Sequence, residues 1–133
     1  VKECDSIRYM GYLSTQKMQE ALLNANAILS VGVYDSEMIP SKLFVSLSSG
    51  KKIVHIGAGK KDSCIKYLKK YRNAYIADIC DYTSEQSKQI LINSINSAIE
   101  APDNRIPYEE IERLYKENTP GYTAKIIKDT YST

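Results

Sequence analysis

Ala27-Ile-Leu-Ser-Val-Gly-Val33 is a nearly unbroken apolar run. A run of that length without polar alternation is the pattern of a strand covered on both faces in a parallel sheet. Lys52 to Ile56 and Ala74 to Ala77 repeat it downstream. Between and before these runs the period changes from strand to helix. Met18, Ala21, Leu22 and Ala25 recur at i, i+3, i+4 and i+7, so they share one helix face that must be buried, and Ser14 or Thr15 can cap its start. Ile7 to Met10 reads as a short strand ahead of that helix, ending at Gly11. After the first run, a loop over Tyr34 to Ile39 leads into a helix over Pro40 to Ser49, with proline in the first turn and Gly50 at the stop. The Gly57-Ala-Gly59 turn follows the second run, and Asp62 can cap a helix that turns Ile65, Leu68 and Tyr71 inward.

The remainder reads as helix. Thr83-Ser-Glu-Gln86 has the capping-box pattern and opens a segment whose apolar face is Leu91, Ile92, Ile95, Ala98 and Ile99, ended by Pro102. Helices over Pro107 to Glu117 and Tyr122 to Tyr131 follow, separated by the breaker cluster Asn118-Thr-Pro-Gly121. Strands alternating with helices require right-handed crossovers, so the expected class is α/β: a Rossmann-like parallel sheet flanked by helices, with an all-helical C-terminal third. At 133 residues the chain is expected to form one domain, with an α/β core over 1–80 and a helical tail over 81–133.

Composition removes several classes of function. The longest apolar runs fall far short of the roughly 20 residues that cross a bilayer, and the first residues given lack the charged-then-apolar pattern of a signal segment, so an integral membrane protein is not expected. Cys4, Cys64 and Cys80 lack the close pairing of a zinc or redox motif, which fits reduced thiols in the cytoplasm. His55 is the only histidine, so neither a His-based triad nor a multi-histidine metal site is expected, and no metal is called for. The net charge of +2 hides an uneven distribution: Lys51, Lys52, Lys60, Lys61, Lys66, Lys69, Lys70 and Arg72 have only Asp62 among them as counter-charge. That stretch suits a solvated face or a peripheral contact with anionic headgroups at the inner membrane surface. Nucleic acid is not an expected partner, because stacking aromatics are not interleaved with the lysines on one face.

Chemistry concentrates between Asp35 and Val54. Ligands of open parallel sheets bind beyond the carboxyl ends of strands, where loops meet helix N-termini. The turn Pro40-Ser41-Lys42 supplies backbone N–H groups, a helix dipole and an ammonium suited to a phosphate or pyrophosphate. Glu37, just before it, can accept hydrogen bonds from sugar hydroxyls. A purely structural reading, with Glu37 and Lys42 as solvated surface charges, stands beside this one.

Three segments in order, Tyr9-Met-Gly-Tyr-Leu-Ser14, Asn24-Ala-Asn-Ala-Ile-Leu-Ser30 and Ile39-Pro-Ser-Lys-Leu-Phe44 running on to Ser49-Gly-Lys-Lys-Ile-Val54, resemble the C-terminal, donor-binding domain of retaining GT-B glycosyltransferases of bacterial polysaccharide assembly. The resemblance covers about residues 5–80. It implies a nucleotide-diphosphate sugar as substrate, no cofactor, and a glycan or lipid-linked acceptor. Glu37 matches the family's glutamate facing the donor sugar and is the implied catalytic residue. The later glutamate, which binds the ribose, falls at Val45, where the side chain has no acceptor. Pro40, Ser41 and Lys42 match the pyrophosphate cradle, and Tyr12 and Leu13 match the loop against the base. Gly50-Lys51-Lys52 stands where the family has Gly-Lys-Pro. Two strand–helix units and an acceptor domain precede the Ile7 strand in the family, so the resemblance implies a fragment whose N-terminal domain is missing. Alternative readings are a degenerate, non-catalytic interaction module of the same fold and a phosphoacceptor receiver module. The second would use Asp35 as its strand-end acid but lacks the acidic pair earlier in the chain.

Overall fold

A computed structural model describes residues 6–79, 81–119, 121, 124 and 126. The order is α1 (Thr15–Asn24), β1 (Ala27–Val31), α2 (Ser41–Ser48), β2 (Lys52–Gly57), a 3₁₀ turn Gly59–Lys61, α3 (Ile65–Leu68), β3 (Ala74–Asp78), α4 (Glu85–Glu100), α5 (Tyr108–Leu114) and a second 3₁₀ turn Lys116–Asn118. The strands form one parallel sheet in the order β1-β2-β3, with Ala27 opposite Lys52 and Ile53 opposite Ala74. The result is the expected small Rossmann-like α/β fold. In the C-terminal third, α4, α5 and the second 3₁₀ turn follow one another, with an irregular connection over 102–107 between α4 and α5. The expected last helix, 122–131, falls mostly outside the described residues.

β2 is the central strand. Ile53 and His55 face one layer, with α2, α3 and α5, where Leu43, Leu47, Leu68, Tyr71, Ile106, Ile111 and Tyr115 close the core. Val54 faces the other layer, where α4 lies across β2 and β3 and buries Ser87 and Ala98. Phe44, Tyr67 and Tyr115 meet edge to face or tilted at 5.4–6.5 Å. The Tyr71 and Tyr115 hydroxyls donate to the carbonyls of Lys51 and Tyr67, so neither phenol is buried without a partner.

Four expectations change. Ile7 to Met10 is not a strand and lies exposed, because no strand among the described residues stands beside it to complete its ladder. β1 is not covered on both faces; it is an edge strand on which Ala27, Leu29 and Val31 are exposed and Ile28 and Ser30 half-buried. The apolar face of α1 is half-buried at Met18, Leu22 and Ala25, and no residue of that helix is buried. In α4 the helix is rotated from the expected face: Ser87, Leu91, Ser94 and Ala98 turn toward the sheet, while Ile92, Ile95 and Ile99 remain exposed. Its cap is Ser84, whose hydroxyl accepts the Ser87 N–H, so the helix starts one residue after the expected box.

Gly50 ends α2 with φ +72°, a conformation that favours glycine. Its N–H donates to Leu47 and its carbonyl accepts the Ile106 N–H, which ties α2 to the 102–107 connection. A Cβ at this position would lie 2.3 Å from the Ile106 carbonyl oxygen. Gly50→Ala is therefore expected to cost about 1–3 kcal/mol of stability, read as a lower urea midpoint with unchanged slope.

Candidate functional site

The loops after β1, β2 and β3 gather at the carboxyl end of the sheet. Gly32 extends the ladder past β1 by donating its N–H to the Ile56 carbonyl at 2.8 Å. Asp35 then folds the loop, its Oδ1 accepting the N–H of Glu37 at 2.9 Å and of Met38 at 3.4 Å, an Asx turn that leaves Glu37 exposed. The Ser63 hydroxyl donates a short hydrogen bond to the Met38 carbonyl, so this loop is fastened to the one after β2. Lys61 lies over the Tyr34 ring at 5.3 Å, a second bridge between the same two loops.

Beneath them is a buried polar chain. Ser30 and His55 are cross-strand neighbours, and Ser30 Oγ lies 3.1 Å from His55 Nδ1. His55 Nε2 lies 2.9 Å from Asp62 Oδ2, with both side chains wholly enclosed. Asp62 Oδ2 also accepts the Ala58 N–H, and Oδ1 accepts the Cys64 N–H, each at 2.9 Å. A carboxylate favours Nε2–H on His55, which leaves Nδ1 to accept from Ser30. A Cβ on Gly32 would lie 1.8 Å from Asp62 Oδ2, so only glycine lets the strand pass this close to the carboxylate. The expectation that a lone histidine assembles no triad is thus corrected: serine, histidine and aspartate are linked in series. Enclosure of His55 and the two N–H groups on Asp62 make the chain a clamp on the 58–64 loop. The donor atoms of His55, Asp62 and Cys64 lie within 4.8 Å of one another, as in a metal trio. They are already bonded among themselves, and burial and the Asp62 charge push the Cys64 thiol up to about 11, away from the thiolate a metal takes.

A cleft of about 200 Å³ opens beside this clamp at the free side of β1. Ser30 and Val31 form its strand wall, Pro40, Lys42 and Ser46 its helix wall, and Cys64 its floor. Pro40 is the N-cap of α2 and no side chain caps that helix start. Of the expected donor residues, Pro40 and Lys42 line the cleft, with Ser41 exposed between them and Glu37 on the adjoining loop. Tyr12 is fully exposed, and neither it nor Leu13 lines the cleft. Val45 is 40% exposed on α2 and is not in the cleft wall. The lysine-rich stretch does not make one surface. Lys51 and Lys52 donate to the Ala25 and Ala101 carbonyls at the amino end of the sheet, Lys60 and Lys61 sit at the carboxyl end, and Arg72 pairs with Glu110 at 3.3 Å. Among the described residues no helix is long and apolar enough to cross a membrane.

No protein-family model, curated protein or solved structure matches this chain. The members of the site found only in the structure are Ser30, His55, Asp62 and Ser63. Their trace in the sequence is a polar residue inside each of two apolar runs, Ser30 and His55, at positions the parallel register makes neighbours.

Burial pushes the Asp62 carboxyl up, but the hydrogen bonds from Ala58, His55 and Cys64 together outweigh it and hold the group below its ordinary 3.8. Stability from a depressed carboxyl is complete above the unfolded value and is lost as pH falls through the folded one. Wild-type stability is therefore expected to decline on acidification below about pH 4, a component that Asp62→Asn lacks. At pH 7 that variant is expected to be about 3 kcal/mol less stable in urea titrations.

Proposed function

We propose that this chain is the nucleotide-sugar donor-binding part of a glycosyltransferase that moves a sugar to a glycan or lipid-linked acceptor. The observation that carries the reading is the cleft at the carboxyl end of β1, where Lys42 and the uncapped start of α2 stand beside the fastened loop that presents Glu37. This is where ligands of open parallel sheets sit. The resemblance of Ile39-Pro-Ser-Lys-Leu-Phe44 to the donor helix of GT-B enzymes points to the same place. In this reading the diphosphate meets the Lys42 ammonium and the first N–H groups of α2, which stabilise the leaving group as charge develops on it. Glu37 accepts hydrogen bonds from the sugar hydroxyls and orients the ring. The chain's own part is electrostatic and geometric, and the acceptor and the remaining walls of the cleft come from an N-terminal domain of the same chain.

Calorimetric titration of the longer parent chain with UDP- and GDP-sugars tests the reading. Lys42→Ala and Glu37→Ala are each expected to weaken binding of the donor about tenfold or more, as loss of a charge-assisted hydrogen bond does. Unchanged affinity in both variants would overturn it and leave the interaction-module reading, which Val45 favours by putting an apolar side chain where a ribose acceptor is expected.

Val45 gives a gain-of-function test. Because its side chain is exposed, Val45→Glu is expected to fold with a stability within about 0.5 kcal/mol of wild type. In the same titration it is expected to tighten donor binding about tenfold by supplying the ribose with an acceptor.

A further inference from the structure

We propose that Ser30 is a nucleophile that takes up the acyl group of a short-chain ester, with His55 as its general base and Asp62 behind the histidine. The Ser30 hydroxyl lies 3.1 Å from His55 Nδ1, and His55 Nε2 lies 2.9 Å from Asp62 Oδ2. Among the described residues Ser30 Oγ has no other hydrogen-bond partner. The carboxylate is fixed in turn by the Ala58 and Cys64 N–H groups. Nucleophile, base and orienting acid are thus each within reach of the next, and such a set is recognised by geometry and roles, not by its order in the chain. Either ring nitrogen can take a proton, so the base needs only an acid that holds one N–H and turns the other lone pair to the hydroxyl. The relay also has a way out. His55 and Asp62 are enclosed, whereas Ser30 is half-buried and lines the cleft beside α2. Cys64 lies on the same cleft but is 1% exposed, and its raised thiol stays protonated, which leaves Ser30 as the nucleophile there.

The cleft sets the class of substrate. At about 200 Å³ it is smaller than the pockets that hold drug-sized ligands, so it suits a short acyl chain and not a long one. Pro40 and Leu43 give it apolar walls and Lys42 a cation. Among the described residues the Ser41 and Lys42 N–H groups at the start of α2 have no acceptor. They are donors of the kind that meet the negative oxygen of a tetrahedral intermediate. In the first step Ser30 Oγ bonds to the ester carbonyl carbon while its proton passes to His55 Nδ1. The alkoxide then leaves with that proton, which gives acyl-Ser30 and an alcohol. In the second step water adds to the acyl carbon and its proton passes to Nδ1. The bond from carbon to Oγ breaks as Oγ takes the proton back, and a carboxylic acid is released. While His55 holds the extra proton, the Asp62 carboxylate balances its charge. This activity rests on Ser30, His55 and Asp62 and not on the transferase reading.

Reaction of the full chain with an alkyl fluorophosphonate, followed by peptide mass spectrometry, tests it. The label is expected on Ser30 of the wild type and is expected to be absent from Ser30→Ala. Hydrolysis of 4-nitrophenyl acetate is expected to be about 100-fold slower or more in Ser30→Ala, and the wild type is expected to turn over 4-nitrophenyl octanoate about tenfold more slowly than the acetate. Ser30 is half-buried on an edge strand, so Ser30→Ala is expected to keep a cooperative urea transition. Ser30→Cys, closer in shape, gives a second readout: an acetyl adduct at position 30 after the acetate ester is added. A label on Lys42, Cys64 or a tyrosine in place of Ser30 would overturn the proposal, as would no label at all or acetate hydrolysis unchanged in Ser30→Ala. Octanoate turned over as fast as acetate would overturn the short-chain assignment. A relay that only holds the 58–64 loop would shift the urea midpoint of Ser30→Ala and leave wild-type Ser30 unlabelled. Nucleotide-sugar affinity enters none of these measurements, so failure of the donor reading leaves their outcome unchanged.

Discussion

The carboxylate of Asp62 is the constraint around which the carboxyl end of the sheet is built. It is enclosed, it is ionised, and it is compensated by a histidine and two backbone N–H groups from its own loop. A charge removed from water is tolerable only when its lone pairs are met this fully. Each donor therefore fixes a piece of architecture: Ala58 sets the turn after β2, Cys64 sets the entry to α3, and His55 reaches through to Ser30 on β1. The absence of a side chain at Gly32 is part of the same arrangement, since the strand passes where a methyl group would displace the carboxylate. With the 58–64 loop held, Ser63 can hold Met38, and the loop that presents Glu37 is held in turn.

The order of elements was legible because period and punctuation agreed. Three apolar runs became three parallel strands, and Gly50 and Pro40 marked the limits of α2 as their backbone chemistry requires. Burial was less legible. An apolar run such as Ala27 to Val31 says that its side chains prefer cover, not that cover is present; the alternation of exposure along β1 shows a strand covered on one face only. The same holds for α4, whose five expected apolar positions are more than the sheet beneath can take. The helix settles with the small residues Ser87 and Ala98 inward, because they let it approach β2 and β3 closely, and leaves the isoleucines to one side.

At the candidate site the sequence pointed to the strand end beside which the cleft lies but not to its wiring. Pro40, Ser41 and Lys42 could be placed from the rule that helix starts follow strand ends in such sheets. Ser30, His55 and Asp62 could not, because a serine or a histidine within an apolar run has no evident partner until the register of the sheet sets one opposite the other. The lysine-rich stretch shows the reverse case. Near neighbours in sequence, Lys51 and Lys61 stand at opposite ends of β2, since a strand carries the chain from one side of the domain to the other.

The bond from the Ile106 N–H to the Gly50 carbonyl bears on synthesis. It joins residues far apart in sequence, and Ile106, Ile111 and Tyr115, which follow it, complete the apolar layer over Leu43, Leu47 and Ile53. On the ribosome, where the chain emerges from its N-terminus, those three would remain open to water until the segment through Tyr115 had left the exit tunnel. The window for inappropriate association of the nascent chain is thus set by how soon that last stretch follows the sheet, and each residue inserted between β3 and Ile106 would lengthen it.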